Sequence, residues 1–165
     1  MKWYKLPEKN DKGQLVYKFG RETLSSKEQV YKAVSDITLI EISAMLNTQG
    51  GVLVLGIHEK GTIKELCGVE RDSQDSPSLQ NLDAYFRHIE TKIANEIGQY
   101  SNFINIYKSK NPYYSEQGKE ICIIEISKLP SDEICCFRDK VYIREGSSKK
   151  EVHAKDLIHH LKNRE

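Results

Sequence analysis

Residues 44 to 61 read AMLNTQGGVLVLGIHEKG, and this stretch constrains the fold more than any other. An apolar run with helical spacing meets an apolar run with strand character, and two adjacent glycines separate them. Upstream, Val30, Ala33, Val34, Ile37, Ile40, Ala44 and Met45 recur with the 3.6-residue period, and Leu39, Ile42 and Leu46 cover much of the other side. The spacing predicts a central, nearly surrounded helix. It must stop near Asn47, because Gly50 and Gly51 disfavour a helix interior by about 1 kcal/mol each and readily take left-handed conformations. The run VLVLGI that follows predicts a buried strand. A glycine pair at such a corner lets a ligand or another stretch of backbone come close. It is neither GxxxxGK[ST] nor GxGxxG, so nothing here reads as a nucleotide cradle.

Around this corner the other elements fall into place. QLVYKF at 14 to 19 predicts a strand, and RETLSSKE predicts a helix start with Ser25 as cap and Glu28 three residues on. TIKELCGV reads as the returning strand of a hairpin. After the polar stretch 71 to 78, Ser76 or Ser78 is the expected cap of a second helix. Its stripe is Leu79, Leu82, Phe86, Ile89, Ile93 and Ile97, and Gly98 ends it. NFINIYKS and EICIIEIS read as strands, ICCF and VYIRE as two more. Residues 154 to 162 read as a closing helix with Leu157, Ile158 and Leu161 inward. This order predicts one α+β domain over residues 1 to 165, with helices packed on a mixed, largely antiparallel sheet. At 165 residues, of which 38% are hydrophobic, the chain can close one core.

No run approaches the ~20 apolar residues of a membrane helix, and MKWYKLPEKN has no apolar signal core, so the expectation is a cytoplasmic protein with no membrane partner. Cys67, Cys122, Cys135 and Cys136 show no CxxC spacing and read as small buried hydrophobes. The five histidines form no HExxH, and His159 and His160 diverge by about 100° on a helix, which argues against a histidine metal site.

The net charge of +1 conceals a pattern. Residues 1 to 32 hold eight Lys or Arg against four acids, and residues 138 to 165 hold eight against five. Brought together, the two ends would form a basic face of the kind that meets nucleic acid. The densest donor group is Arg144-Glu145-Gly146-Ser147-Ser148-Lys149-Lys150, read as a loop leaving a strand, where hydroxyls, amides and a guanidinium fork suit an oxyanion. Tyr107, Tyr113, Tyr114 and Tyr142 lie near cationic residues in a pattern suited to base stacking or to half-buried filling of a sheet. Glu41 falls on the apolar stripe of the central helix, near Val30 and Ile37, and so needs a partner: it reads as a carboxylate neutralised by Arg, Lys or backbone donors, with a catalytic or metal-ligand role as the alternative.

ISAMLNTQGGVLVLGIHEKGTIKELCGV at 42 to 69 and VYIREGSSKKEVHAKDLIHHL at 141 to 161 resemble the AlbA-like nucleic-acid-binding domain found in Schlafen proteins and in many prokaryotic regulators. That family reads "AFANT-GG", then "GVDD-G" with a following "VG", then "YIR-GSS". Ala44, Asn47, Thr48, Gly50, Gly51, Gly56, Gly61, Gly68, Tyr142, Ile143, Arg144, Gly146, Ser147 and Ser148 stand in those places. The resemblance spans roughly residues 14 to 162. It implies binding of DNA or RNA with no cofactor, with Arg144, Ser147, Ser148, Lys149 and Lys150 on phosphates, Lys18 and Arg21 nearby, and Asn47, Thr48, Gly50 and Gly51 as the adjoining loop. It also implies an alternative, the endoribonuclease of Schlafen type, in which carboxylates hold Mg²⁺ or Mn²⁺ to cleave tRNA-like RNA. Matching the family's "EFK" to Val16-Tyr17-Lys18 puts Asp11 on one acidic place, leaves Val16 on a second, and makes Glu59 the survivor of "DD", with Glu22 a substitute if the match slips. The third reading is a protein-interaction or dimerisation module, and a homo-oligomer is compatible with all three.

Overall fold

The computed structural model describes residues 8–12, 14–19, 22–60, 63–66, 68–69, 81–110, 119–146 and 148–162. The order is β1 (Glu8–Lys9), β2 (Leu15–Phe19), β3 (Glu22–Leu24), α1 (Lys27–Leu46), β4 (Gly51–Leu55), β5 (Ile57–Lys60), β6 (Ile63–Leu66), α2 (Leu82–Ile97) and a 3₁₀ turn Gly98–Phe103. Then come β7 (Ile104–Lys110), β8 (Glu120–Ile126), β9 (Cys136–Phe137), β10 (Lys140–Glu145), β11 (Ser148–Val152) and α3 (Ala154–Lys162). The α+β class holds. Among the described residues every pairing is antiparallel, and the strands divide into four small sheets, β1-β2-β3, β4-β8-β7, β5-β6 and β9-β10-β11. None of the described helices is long and apolar enough to cross a membrane.

α1 begins one residue later than the sequence suggested. Ser26, not Ser25, is the cap and accepts from the Gln29 amide at 3.3 Å, while the Gln29 side chain accepts from the Ser25 amide at 2.8 Å. The return bond therefore comes from Gln29 rather than Glu28, and it reaches the amide one residue before the cap rather than closing the box on Ser26 itself. α1 buries Leu39, Ile42, Met45 and Leu46 against Phe86, Ile93 and Ile97 of α2 and Cys122, Ile124 and Ile126 of β8. Each such side chain contributes roughly 1.5–3 kcal/mol on leaving water, so this cluster dominates stability. α2 is capped by Asn81, whose side-chain Oδ1 accepts from the Ala84 amide at 2.9 Å; Ser76, Ser78 and Leu79 lie outside the described residues.

The glycine corner has a structural answer. Gly50 has φ +72°, and a Cβ there would lie 2.4 Å from the Ile126 carbonyl oxygen and 2.9 Å from the Lys128 nitrogen. What approaches is backbone at the end of β8, not an open space for a ligand. The Gly50 amide also donates to Met45 O at 2.8 Å and so helps close the helix end. Among the described residues β4 pairs with β8 alone, and Val52 is 56% exposed, rather than part of the fully buried strand expected from VLVLGI.

The carboxy-terminal part holds the largest departure. The stretch expected as a loop is largely strand: β10 and β11 pair as an antiparallel hairpin, with Tyr142 opposite Glu151, Ile143 opposite Lys150 and Arg144 opposite Lys149. Strand alternation then sends Arg144 and Lys149 toward α1, and sends Val141, Ile143 and Val152 to the other face. There Leu157 of α3 packs on them. Ile158, expected inward, is 60% exposed, since one helix stripe is enough to cover this small hairpin. β9 joins β10 through Arg138 and Asp139, both at positive φ (50° and 62°), the backbone of a type I′ hairpin turn. Arg138 ties that turn to α1 by a two-pronged pair with Asp36 at 2.7 and 2.8 Å.

Candidate nucleic-acid interface

Glu41 acquires the partners its position demanded. Its Oε2 lies 3.1 Å from Arg144 Nη1 and its Oε1 lies 3.0 Å from Lys149 Nζ. The carboxylate is 8% exposed, whereas the guanidinium and ammonium side chains are 26% and 30% exposed. Two like charges directly across an antiparallel pair repel one another. The helix supplies one anion between them, so the two can occupy neighbouring positions on the hairpin. Two cations against one carboxylate leave a single positive charge at this point. Each cation gives Glu41 one hydrogen bond, which leaves most of the guanidinium and ammonium N–H donors for another acceptor.

A buried network beside this trio holds the strand in register with α1. The Asn47 side chain donates to Cys135 O at 2.8 Å and to Tyr142 O at 3.0 Å, and accepts from the Cys135 amide at 2.7 Å. Ser43 Oγ also donates to Cys135 O, at 3.3 Å. The Thr48 hydroxyl accepts from the Arg144 amide at 3.0 Å and donates to Ala44 O at 2.8 Å. His160 Nε2 on α3 lies 3.0 Å from Asn47 O. The helix-end phrase and the Tyr-Ile-Arg phrase, far apart in sequence, are thus neighbours, joined through protein backbone. Asn47 and Thr48 commit their polar groups to the fold, and Gly50 makes room for the backbone at the end of β8, while Gly51 is called for by its positive φ of 150° rather than by crowding.

The remaining sequence-derived positions are dispersed. Lys150 points to the opposite face of β11 from Lys149 and pairs with Glu145 at 2.8 Å, both largely exposed, so it adds little net charge. That partner keeps the Lys150 pKa above its ordinary value. Ser148 is exposed opposite Glu145. Lys18 lies in β2 opposite Thr23, and Ser147 and Arg21 lie outside the described residues, as do Tyr113 and Tyr114. Tyr107 is exposed and hydrogen-bonds Glu125, which raises its pKa, while Tyr142 packs partly into the core. The free thiols differ: Cys122 and Cys135 are buried as expected, but Cys136 is exposed, because residue 136 on β9 faces outward between two inward neighbours. Cys67 lies outside the described residues.

Of the carboxylates of the nuclease alternative, the Asp11 side chain is described, whereas Glu22 and Glu59 are placed by their backbone alone. Asp11 is exposed in the turn between β1 and β2, where Asn10 Oδ1 accepts from the Lys12 and Gln14 amides at 3.0 and 2.9 Å. Glu22 lies opposite Phe19 in β3, and Glu59 opposite Lys64 in β5. Among the described residues no three His, Cys, Asp or Glu side chains converge in a way that would hold a metal ion.

Sequence reasoning singled out Arg144 and Lys149 but not their shared partner, which lies 103 and 108 residues away along the chain. The available signal was Glu41 itself, a carboxylate on an apolar stripe. Comparison with curated proteins and with solved structures gave no match. The family model described as Schlafen, AlbA_2 matches residues 20–153, which takes in the glycine corner, the Glu41 trio and the β10–β11 hairpin, and the chain belongs to that family.

Proposed function

We propose that this chain binds nucleic acid through the phosphate backbone, with the Arg144–Lys149 pair on the β10–β11 hairpin as its central contact. Membership of the family associates the chain with nucleic acid in general. The observation that carries the finer reading is the trio itself: two adjacent, part-exposed cations held by one buried carboxylate, with an excess positive charge and uncommitted N–H donors. A guanidinium fork beside an ammonium suits a phosphate, which offers several acceptor oxygens at once. Ser148 and Lys150 lie on the other face of β11 and, with Lys18, Arg21 and Ser147, are outlying contacts in this reading.

Binding of fluorescent DNA and RNA strands, titrated against salt, tests it. Simple removal of both cations would leave Glu41 as an uncompensated buried charge, at a cost of about 3–5 kcal/mol. The variant to use is therefore Glu41→Gln, Arg144→Gln and Lys149→Gln together, which keeps a polar trio without charge. Affinity should fall, and the slope of log affinity against log salt should drop by about one to two, at roughly 0.7–0.9 per phosphate contact. An unchanged slope in a folded variant would refute the assignment. RNA incubated with the protein and Mg²⁺ or Mn²⁺ should remain intact. Cleavage lost in Asp11→Ala and Glu59→Ala would instead establish the nuclease alternative.

A further inference from the structure

On the face of the hairpin turned away from Glu41, β10, β11 and α3 border a half-open pocket of about 310 Å³. Its floor is apolar, made by Ile143 and Val152, both almost fully buried. The Glu145–Lys150 pair stands at its mouth, and α3 supplies Asp156, His159 and His160. The volume is at the low end for small-ligand sites, which run from about 300 Å³ upward, so it suits one compact group rather than a peptide or a lipid chain. Its lining suits a flat one. A hydrophobic floor and imidazole rings offer stacking surface, carboxylates accept from ring and amino N–H groups, and the Lys150 ammonium donates to a carbonyl. That combination matches the faces and edges of nucleobases, which proteins read in single strands by stacking and by hydrogen bonds to the exposed edge.

Position points the same way. Lys149 and Lys150 are consecutive on β11, and β11 is the outer strand of its sheet. One lysine serves the phosphate-contact face and the next serves the mouth of the cavity. A strand whose phosphate meets Arg144 and Lys149 passes this edge, where a neighbouring base can turn inward.

We infer that this cavity receives an unpaired nucleobase, so that the polyanion held by the hairpin is single-stranded. The inference rests on the phosphate-contact reading above. A duplex presents the same phosphates but keeps its bases stacked and paired, and would leave the cavity unfilled.

The test compares four probes of matched length, in DNA and in RNA, by fluorescence anisotropy at one salt concentration: uniform pyrimidine and purine single strands, their duplex, and an abasic strand. Base-bearing single strands should bind about five- to tenfold tighter than the abasic strand, the low end of what one stacked base contributes. Asp156→Asn combined with His159→Ala should abolish that margin and, in a separate salt titration, leave the slope of log affinity against log salt intact. As a measurement on the unaltered protein, ring resonances of His159 and His160 should shift with the base-bearing strand and not with the abasic one. Equal affinity for abasic and base-bearing strands, tighter binding to duplex, or a margin that survives in the folded variant would each overturn the inference while leaving the phosphate reading standing. Failure to bind any probe would refute both.

Discussion

Asn47→Ala should be among the most damaging single changes in this chain, although the residue is polar and ends a helix. Asn47 is fully buried and its amide completes three hydrogen bonds, to the Cys135 amide, the Cys135 carbonyl and the Tyr142 carbonyl. After truncation, Ser43 Oγ still donates to Cys135 O. The Cys135 N–H and the Tyr142 C=O lose their Asn47 partners. Each buried group left unsatisfied costs about 1–3 kcal/mol, so two of them predict a loss of roughly 2–6 kcal/mol. Total stability for a domain of this kind is about 5–15 kcal/mol, which makes such a loss visible as a large displacement of the unfolding midpoint. Chemical denaturation followed by circular dichroism measures it, with an unchanged slope certifying that the two-state comparison is valid. The network adds a second signature. Ser43→Ala alone should cost little, because Asn47 Nδ2 still serves Cys135 O, but in the Asn47→Ala background it removes the last donor to that carbonyl, so the double change should exceed the sum of the two. A loss below about 1 kcal/mol for Asn47→Ala, or strict additivity with Ser43→Ala, would show that water or a rearranged backbone replaces these bonds and would refute the reasoning.

Gly50→Ala and Gly146→Ala separate steric crowding from backbone strain. Both glycines have positive φ, +72° and +62°, so each alanine pays the left-handed penalty of about 1–2 kcal/mol, but only at Gly50 does the new Cβ meet backbone, 2.4 Å from Ile126 O. Thermal melting should place Gly50→Ala well below Gly146→Ala, and equal melting would contradict the packing reason given for Gly50. In a Cys67→Ser background, a thiol reagent at neutral pH should label Cys136 in the native protein and reach Cys122 and Cys135 only on unfolding, since burial pushes those thiols to about 12 and about 11. Three equally fast thiols would refute it. Partial desolvation at the surface, with Lys92 nearby, lowers the pKa of His88. The unfolded chain therefore binds the proton more readily, and stability falls as pH drops through about 6.5. His88→Gln should flatten that acid limb, and an unchanged limb in the variant would refute the assignment.

How legible the molecule was depended on whether an element is defined by what it buries or by what it pairs with. α1 and α2 were readable because their apolar positions repeat at the helical period and both helices are packed on a continuous core. β11 was not, because SKKEV buries only Val152 and owes its strand conformation to its ladder with β10. Reading that stretch as a loop placed its two lysines together. As a strand it sends them to opposite faces, one to the buried carboxylate and one to the cavity mouth, and this single difference in register turns one diffuse basic patch into two chemically distinct surfaces. Glu41 announced that a cation must come to it, but a one-dimensional pattern carries no information on contacts more than a hundred residues apart. The same holds for Asn47, whose place in a glycine-rich phrase suggested a ligand loop. The protein uses it to fasten β10 to the end of α1, and so to fix where Arg144 emerges.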